Sequence, residues 1–349
     1  MKKTLIIFVI LIMLITKFLL PIDKISFPVP LENISQPSMF LVNYDKIYIL
    51  ENATIYIYSL KNFKLIKKFG KSGEGPGEFK YSKNTQMPMS MSFYKNQLFV
   101  NSPMKITYFD LDGNYIREMK VKTVDRILYP FDNKYIGLGS TSATNKRFYM
   151  GFTLFENDFN VIKTVFLSDF EVNNPRKIIL PLTNFFYKPI YKGKIYINTS
   201  SNKFVINVYD REGKQDYIIN KNYPKIKVHA NYKKKVLEFI RKSPKFKNGY
   251  EDFKKLLKIR EYFPPIRDLQ MSDDFIYVIT FKRKGKLWEC IKMDLKGNER
   301  GRTFVKLNSY KHLSFYPLLY SVYKGNIYSL VEDEEDETWK IHIKKLLIK

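Results

Sequence analysis

Apolar residues in this chain come in short bursts, each ended by Lys, Asn, Asp or Gly. Ile, Val, Tyr and Phe dominate the bursts, a composition that favours strands. The first group reads Ser38–Tyr44, Lys46–Leu50, Thr54–Leu60 and Phe63–Phe69, and the second Met89–Phe93, Gln97–Val100, Lys105–Gly113 and Tyr115–Met119. Later groups show fewer members: Tyr135–Leu138, Phe148–Phe155 and Val161–Leu167; then Lys194–Asn198, Phe204–Gly213 and Asp216–Ile219. A fifth has Phe275–Phe281, Trp288–Gly297 and Arg302–Val305, and a sixth Asn326–Leu330 and Trp339–Leu347. Most bursts are near-continuous in place of alternating, as expected of strands covered on both faces. The unit is therefore a small four-stranded sheet, repeated six times.

The turns support the repeat. Asp110–Gly113, Asp210–Gly213 and Asp294–Gly297 share an Asp with Gly three places on, a tight-turn signal. The first two lie 100 residues apart, two units of about 50 residues, and four short strands at that period mark a β-propeller. Tyr56, Tyr58, Tyr108 and Tyr209 recur before the turns and are expected between neighbouring blades. The sixth copy lacks a fourth strand; Asp23–Val29 is predicted to supply it and close the ring, leaving no bare sheet edge. The fold expected is thus all-β, a six-bladed β-propeller over 23–349.

Two stretches stand out. In Lys67–Phe79 four glycines and Pro76 form a compact passage from the outer strand of one blade to the inner strand of the next. Between copies four and five, about 225–262, the period changes to helical: Tyr232, Val236, Phe239 and Ile240 share one face, as do Tyr250, Phe253 and Leu257. Two short amphipathic helices are predicted, over His229–Ile240 and Tyr250–Ile259. They should lie over the same face as the Gly-Pro-Gly turn.

The tract Phe69-Gly-Lys-Ser-Gly-Glu-Gly-Pro-Gly-Glu-Phe79, set between strand repeats with Asp-x-x-Gly turns, resembles the NHL-like six-bladed propellers, and more narrowly the exported bacterial members. The resemblance covers roughly 23–349. Exported members are often lipoproteins, but no lipobox cysteine follows the apolar N-terminus here. The family as a whole implies no reaction.

Residues 1–22 follow the plan of an export signal. Lys2 and Lys3 precede an apolar run over 4–20 broken only by Lys17, close to the ~20 residues that span a bilayer. No small-x-small cleavage site follows. An uncleaved signal-anchor is expected, a transmembrane helix with the propeller outside the cytoplasm; cleavage would instead give a secreted or periplasmic protein.

The formal net charge is +26, with 49 Lys and 11 Arg. The excess of Lys over Arg fits a Lys-coated surface better than phosphate or base readout, and export makes nucleic acid a poor partner. Within 225–262 there are 13 basic and 4 acidic residues, so the insertion is the densest positive segment. The plain reading is a cap packed on the propeller; the sharper one is attraction to an anionic polymer or membrane.

Candidate chemistry is sparse. His229, His312 and His342 form no metal-ligand spacing, and Cys290 lies inside a strand, where burial as a small apolar residue is expected. No cofactor or metal is predicted. The acidic run Glu332–Glu337 lacks the order of a Ca²⁺ loop and reads as a solvated hairpin tip. Ligands of propellers sit at the channel mouth, where Glu78, Arg126, Tyr129, Lys188, Arg267, Asp268 and Tyr316 are the candidates. For each the plain reading is a rim contact or a satisfied structural group, and Arg267-Asp268 reads equally well as a local ion pair holding its loop. No catalytic set emerges. The leading expectation is a membrane-tethered monomeric propeller that binds a protein or acidic polymer on its loop face. The alternative is a metal-dependent hydrolase or lyase at the channel mouth.

Overall fold

The computed structural model describes residues 28–81, 89–121, 126–142, 148–171, 178–179, 189–242, 249–307, 319–333 and 335–346. Five blades are consecutive antiparallel meanders, inner strand first. Blade 1 is Met39–Asn43, Lys46–Glu51, Thr54–Ser59 and Leu65–Phe69; blade 2 is Ser90–Tyr94, Gln97–Ser102, Lys105–Phe109 and Tyr115–Lys120. Blade 3 is Arg126–Phe131, Lys134–Ser142, Phe148–Phe155 and Val161–Glu171. Blade 4 is Ile190–Tyr191, Lys194–Asn198, Phe204–Tyr209 and Gln215–Lys221, and blade 5 is Asp268–Ser272, Phe275–Lys284, Leu287–Asp294 and Glu299–Lys306. Blade 6 takes Tyr320–Tyr323, Asn326–Glu332 and Trp339–Lys345 from the end of the chain and Val29–Leu31 from its beginning.

That last pairing closes the ring. Val29 faces Ile341, Pro30 faces Lys340 and Leu31 faces Trp339. The closing strand thus starts where the predicted one ends; Asp23–Phe27 and the expected signal-anchor lie outside the described residues. The register is held by groups on two blades. The Trp339 indole N–H donates to Ser35 O (2.9 Å), Tyr58 Oη to Glu32 O (2.6 Å), and Glu51 Oε1 accepts from Ser35 N, Ser35 Oγ and Gln36 N.

Each blade buries both faces against its neighbours, which explains the near-continuous apolar runs. In Lys46–Glu51, Ile47 and Ile49 pack toward blade 6 while Tyr48 and Leu50 pack toward blade 2. One apolar cluster fills each of the six interfaces. Tyr58, Tyr108 and Tyr209 lie in three of these clusters, as the repeat predicts.

The three Asp-x-x-Gly turns form as expected, each linking the third and outer strands. Gly113, Gly213 and Gly297 have φ between +66° and +92° and donate to the carbonyl of the Asp three residues earlier. In each, the Asp carboxylate also accepts from the backbone two and four residues on. The Gly-Pro-Gly tract folds into a stapled loop: Phe79 N donates to Lys71 O and Gly73 N to Phe79 O. Phe79 is fully buried as a plug between blades 1 and 2. Gly70, at φ +85°, admits no side chain, because a Cβ there would lie 2.4 Å from the Phe79 ring.

The insertion contains α1 (Ala230–Lys242) and α2 (Tyr250–Leu256). Val236 and Ile240 of α1 pack on Tyr250, Phe253 and Leu257, the two predicted faces. The second helix is shorter than expected because Leu257–Lys258 is extended and pairs in parallel with Ile178–Ile179. The base of the insertion is tied by Ile226–Lys227 against Tyr262–Phe263. Among the described residues no helix is long and apolar enough to cross a membrane.

Candidate functional site

Strand alternation fixes two faces of the disc. One carries the inner-strand hairpin turns. The other carries the blade-to-blade connections, the insertion and the hairpins between second and third strands. The channel between them is a cavity of about 300 Å³ bordered by all six inner strands.

The predicted site residues scatter. Tyr129 and Asp268 line the channel, on blades 3 and 5. Arg126 begins the inner strand of blade 3. Lys188 and Tyr316 lie outside the described residues. Glu78 is engaged in its own loop: its Oε2 accepts from Gly75 N (2.9 Å) and its Oε1 pairs with Lys71 (3.0 Å). Lys71, with help from Gly75 N–H, holds the Glu78 carboxyl below its usual range. Asp268 Oδ1 accepts from Leu269 N (2.8 Å).

Arg267 marks a different centre, on the loop face of blade 5. Its guanidinium is 4% exposed and stacks on Trp288, with Cζ 3.8 Å from the ring centroid. Arg283, directly across the strand pair from Trp288, stacks on the same ring at 3.8 Å. Behind them Phe281 and Phe263 stack at 4.3 Å, and Tyr232 of α1 meets Phe263 edge-on at 4.9 Å. The aromatic ladder thus joins the helical insertion to the blade 5 hairpin. Neither arginine has a carboxylate within ion-pair distance among the described residues, and Arg267 Nε, Arg267 Nη1 and Trp288 Nε1 have no hydrogen-bond acceptor. Burial pushes the Arg267 guanidinium down to about 10, with Arg283 adding to the effect, and burial lowers Arg283 as well. Stacking on the indole offsets part of the desolvation.

The tip of that hairpin was missed in the sequence reading. It runs Lys282-Arg283-Lys284-Gly285-Lys286, all exposed. Its signal was present as a run of four cations in five residues, hidden because the run sits at the end of an apolar burst. Only Lys282 is neutralised, by Glu289 at 3.3 Å. Glu289 is itself fully buried, with Arg302 at 3.0 Å and hydrogen bonds from Thr280 (2.9 Å) and Tyr223 (2.5 Å). Burial alone would raise its carboxyl, but Tyr223, Thr280 and the two cations hold it below its usual range.

The acidic tip of blade 6 is internally paired, since Lys340 Nζ lies 2.7 Å from Asp333 and 2.8 Å from Asp336. Among the described residues no group of three or more His, Cys, Asp or Glu could hold a metal.

Six four-stranded sheets around one channel define a six-bladed β-propeller. The chain belongs to the family described as 6-bladed beta-propeller, whose profile matches residues 31–239. No curated protein sequence matches the chain. Among solved structures it is similar to BamB from Moraxella catarrhalis, at 10% identity over 86% of this chain and 68% of that one, TM-score 0.32. It is similar to the Pan2 WD40 domain from Neurospora crassa, at 11% identity over 90% and 76%, TM-score 0.37. A third is Hsv2 from Kluyveromyces lactis, at 9% identity over 90% and 100%, TM-score 0.39.

Proposed function

We propose that this propeller is an extracytoplasmic binding module, tethered to the membrane through residues 4–20, that holds an acidic polymer on its loop face. The tether rests on the sequence alone. One observation carries the binding reading: the exposed cations Arg283, Lys284 and Lys286 of the tip have no carboxylate partner among the described residues, and Arg283 stacks on Trp288 beside the basic insertion. Exposed cations without a carboxylate partner favour an anion. A protein with an acidic surface is the other partner of this chemistry, and the test separates the two.

The probe is polygalacturonate, titrated into the full chain by calorimetry at two salt concentrations. Binding should weaken steeply with salt. The double variant Lys284→Glu/Lys286→Glu should lose at least tenfold in affinity, and deletion of 229–260 should lose more. Salt-insensitive binding, or affinity unchanged in both variants, would refute the reading. Polygalacturonate binding absent while an acidic protein is captured by the wild type and not by the double variant would replace polymer with protein.

A further inference from the structure

The closing strand has a direction, and it decides which face of the disc looks at a tether. Trp339–Lys345 ends where Leu346 N donates to Gly325 O (2.9 Å), beside the inner hairpin turn of blade 6. Val29–Leu31 runs antiparallel to it, so the chain enters Val29 from the side of the hairpin turns and leaves Leu31 toward the loop face. Val29 faces Ile341, four residues short of Lys345. That is about 13 Å below the level of the turns.

The apolar run ends at Leu20, nine residues before Val29, a reach of at most about 32 Å. It covers the way to the turn face with length to spare. It does not cover the way past the loop face. From Val29 two residues remain to Trp339 at the loop end of the blade. On neighbouring blade 5, Ile279 faces Asp268 at the foot of the inner strand and the hairpin continues five residues to Lys284. Clearing that tip means a rise of about 23 Å. The chain would first have to reverse, which takes a four-residue turn, and the five residues left span at most about 18 Å.

The chemistry of the two faces agrees with this. On the turn face, cations are paired with carboxylates of the next blade: Lys46 with Asp112 (2.5 Å), Arg211 with Asp132 (3.1 Å), Lys324 with Asp45 (2.9 Å) and Lys192 with Asp274. The inner hairpins of blades 2, 4 and 6 each present a Tyr-Lys pair, Tyr94-Lys95, Tyr191-Lys192 and Tyr323-Lys324, with the lysines exposed. Their hydroxyls tie the turns together, Tyr94 Oη donating to Asp132 O (2.5 Å) and Tyr191 Oη accepting from Asp274 N (2.9 Å). Tyrosine and lysine side chains suit the headgroup level of a bilayer. The loop face instead carries the unpaired cations of the blade 5 tip. We propose that the propeller sits turn face down on the bilayer that holds its tether, with the three Tyr-Lys hairpins at the lipid headgroups and the basic loop face pointing away, open to an acidic polymer. This orientation rests on the tether reading of residues 4–20.

The test uses the full chain reconstituted into phosphatidylcholine vesicles, with and without phosphatidylglycerol. Single labelling sites are Lys61→Cys and Lys214→Cys, exposed on turn-face hairpins of blades 1 and 4 across the ring, and Lys286→Cys on the loop-face tip. Cys290 is 1% exposed and does not compete for the label. Quenching of a bimane label by a headgroup-nitroxide lipid is expected to be at least threefold stronger at 61 and 214 than at 286, in both lipid mixtures. Stronger or equal quenching at 286 would overturn the proposal, as would a reversal when phosphatidylglycerol is present, which would mean that the basic face is drawn down. Quenching at 61 without quenching at 214, as for a disc standing on its rim, would overturn it too. A chain that fails to float with the vesicles, or is stripped from them by alkaline carbonate, would remove the tether and the orientation with it. A chain that stays bound with the wrong order of quenching would remove the orientation alone.

Discussion

Leu31→Ala tests whether the ring is held shut by its first strand. Leu31 is 4% exposed, faces Trp339 across the closing pair, and packs with Phe40, Tyr58 and Ile341. The substitution removes three carbons, about 2.4 kcal/mol of transfer free energy at ~0.8 kcal/mol per methylene. Any cavity left behind adds to this, and buried Leu→Ala changes span about 2–5 kcal/mol. A three-residue edge strand can settle into the space, so the total should fall near 3 kcal/mol. The chain contains two tryptophans, and they report different places: Trp339 sits in the closure and Trp288 in blade 5. Urea unfolding followed by Trp339 fluorescence in a Trp288→Phe background, beside far-UV circular dichroism, separates opening of the seam from loss of the sheets. If closure is integral, Leu31→Ala shifts both transitions together to lower urea. A loss under about 1 kcal/mol, or a fluorescence transition well ahead of the dichroism transition, would show that the strand only decorates a ring stable without it.

Three further outcomes follow from the turns and the core. Gly297→Ala should cost clearly more than Gly325→Ala by urea midpoint, since both have positive φ but a Cβ at 297 meets Ile219 at 2.4 Å while at 325 nothing lies within 4 Å. Equal losses would mean the backbone conformation alone sets the cost. The Cys290 thiol is 1% exposed and burial pushes it up to about 12, so it should react with a thiol reagent at pH 8 only at the unfolding rate. Burial alone would raise the Asp294 carboxyl, but Asn298, Arg300 and Lys296 N–H hold it at about 2. Its folded value lies below the unfolded one, so its stabilisation is present above about pH 4 and lost as pH falls toward 2. Asp294→Asn should flatten that part of the stability–pH curve, and an unchanged slope between pH 5 and 2.5 would contradict the assignment.

The sequence was most legible where one blade repeats another. Second and third strands are buried on both faces, so Lys46–Glu51 or Leu287–Asp294 must be apolar almost throughout. The tight turn after the third strand needs Asp and Gly, and that signal survives in three blades. Inner strands were harder. Ile190–Tyr191 is two residues long, Arg126–Phe131 contains Pro130, and Asp268–Ser272 starts on a buried carboxylate. Such strands keep one edge free in the channel, so they tolerate proline and polar side chains that argue against a strand elsewhere. The extended pair of Ile178–Ile179 with Leu257–Lys258 was also illegible. It joins segments nearly 80 residues apart in sequence and no local pattern marks it.

The same logic explains why the candidate site was only half visible. Arg267 and Asp268 stand at the start of the blade 5 inner strand, as strand order fixes, whereas Tyr129 stands two places before the end of its own. What each one faces depends on the next blade around the ring. Arg267 stacks on Trp288 because the blade 5 hairpin is long enough to rise beside α1. Tyr129 packs with Ile127 and Phe131 in the apolar cluster between blades 3 and 4. In a ring built from near-copies, the identical positions are committed to holding neighbours together. Binding chemistry is then free to appear only where one copy departs from the others. Blade 5 departs by an extended basic hairpin beside an insertion.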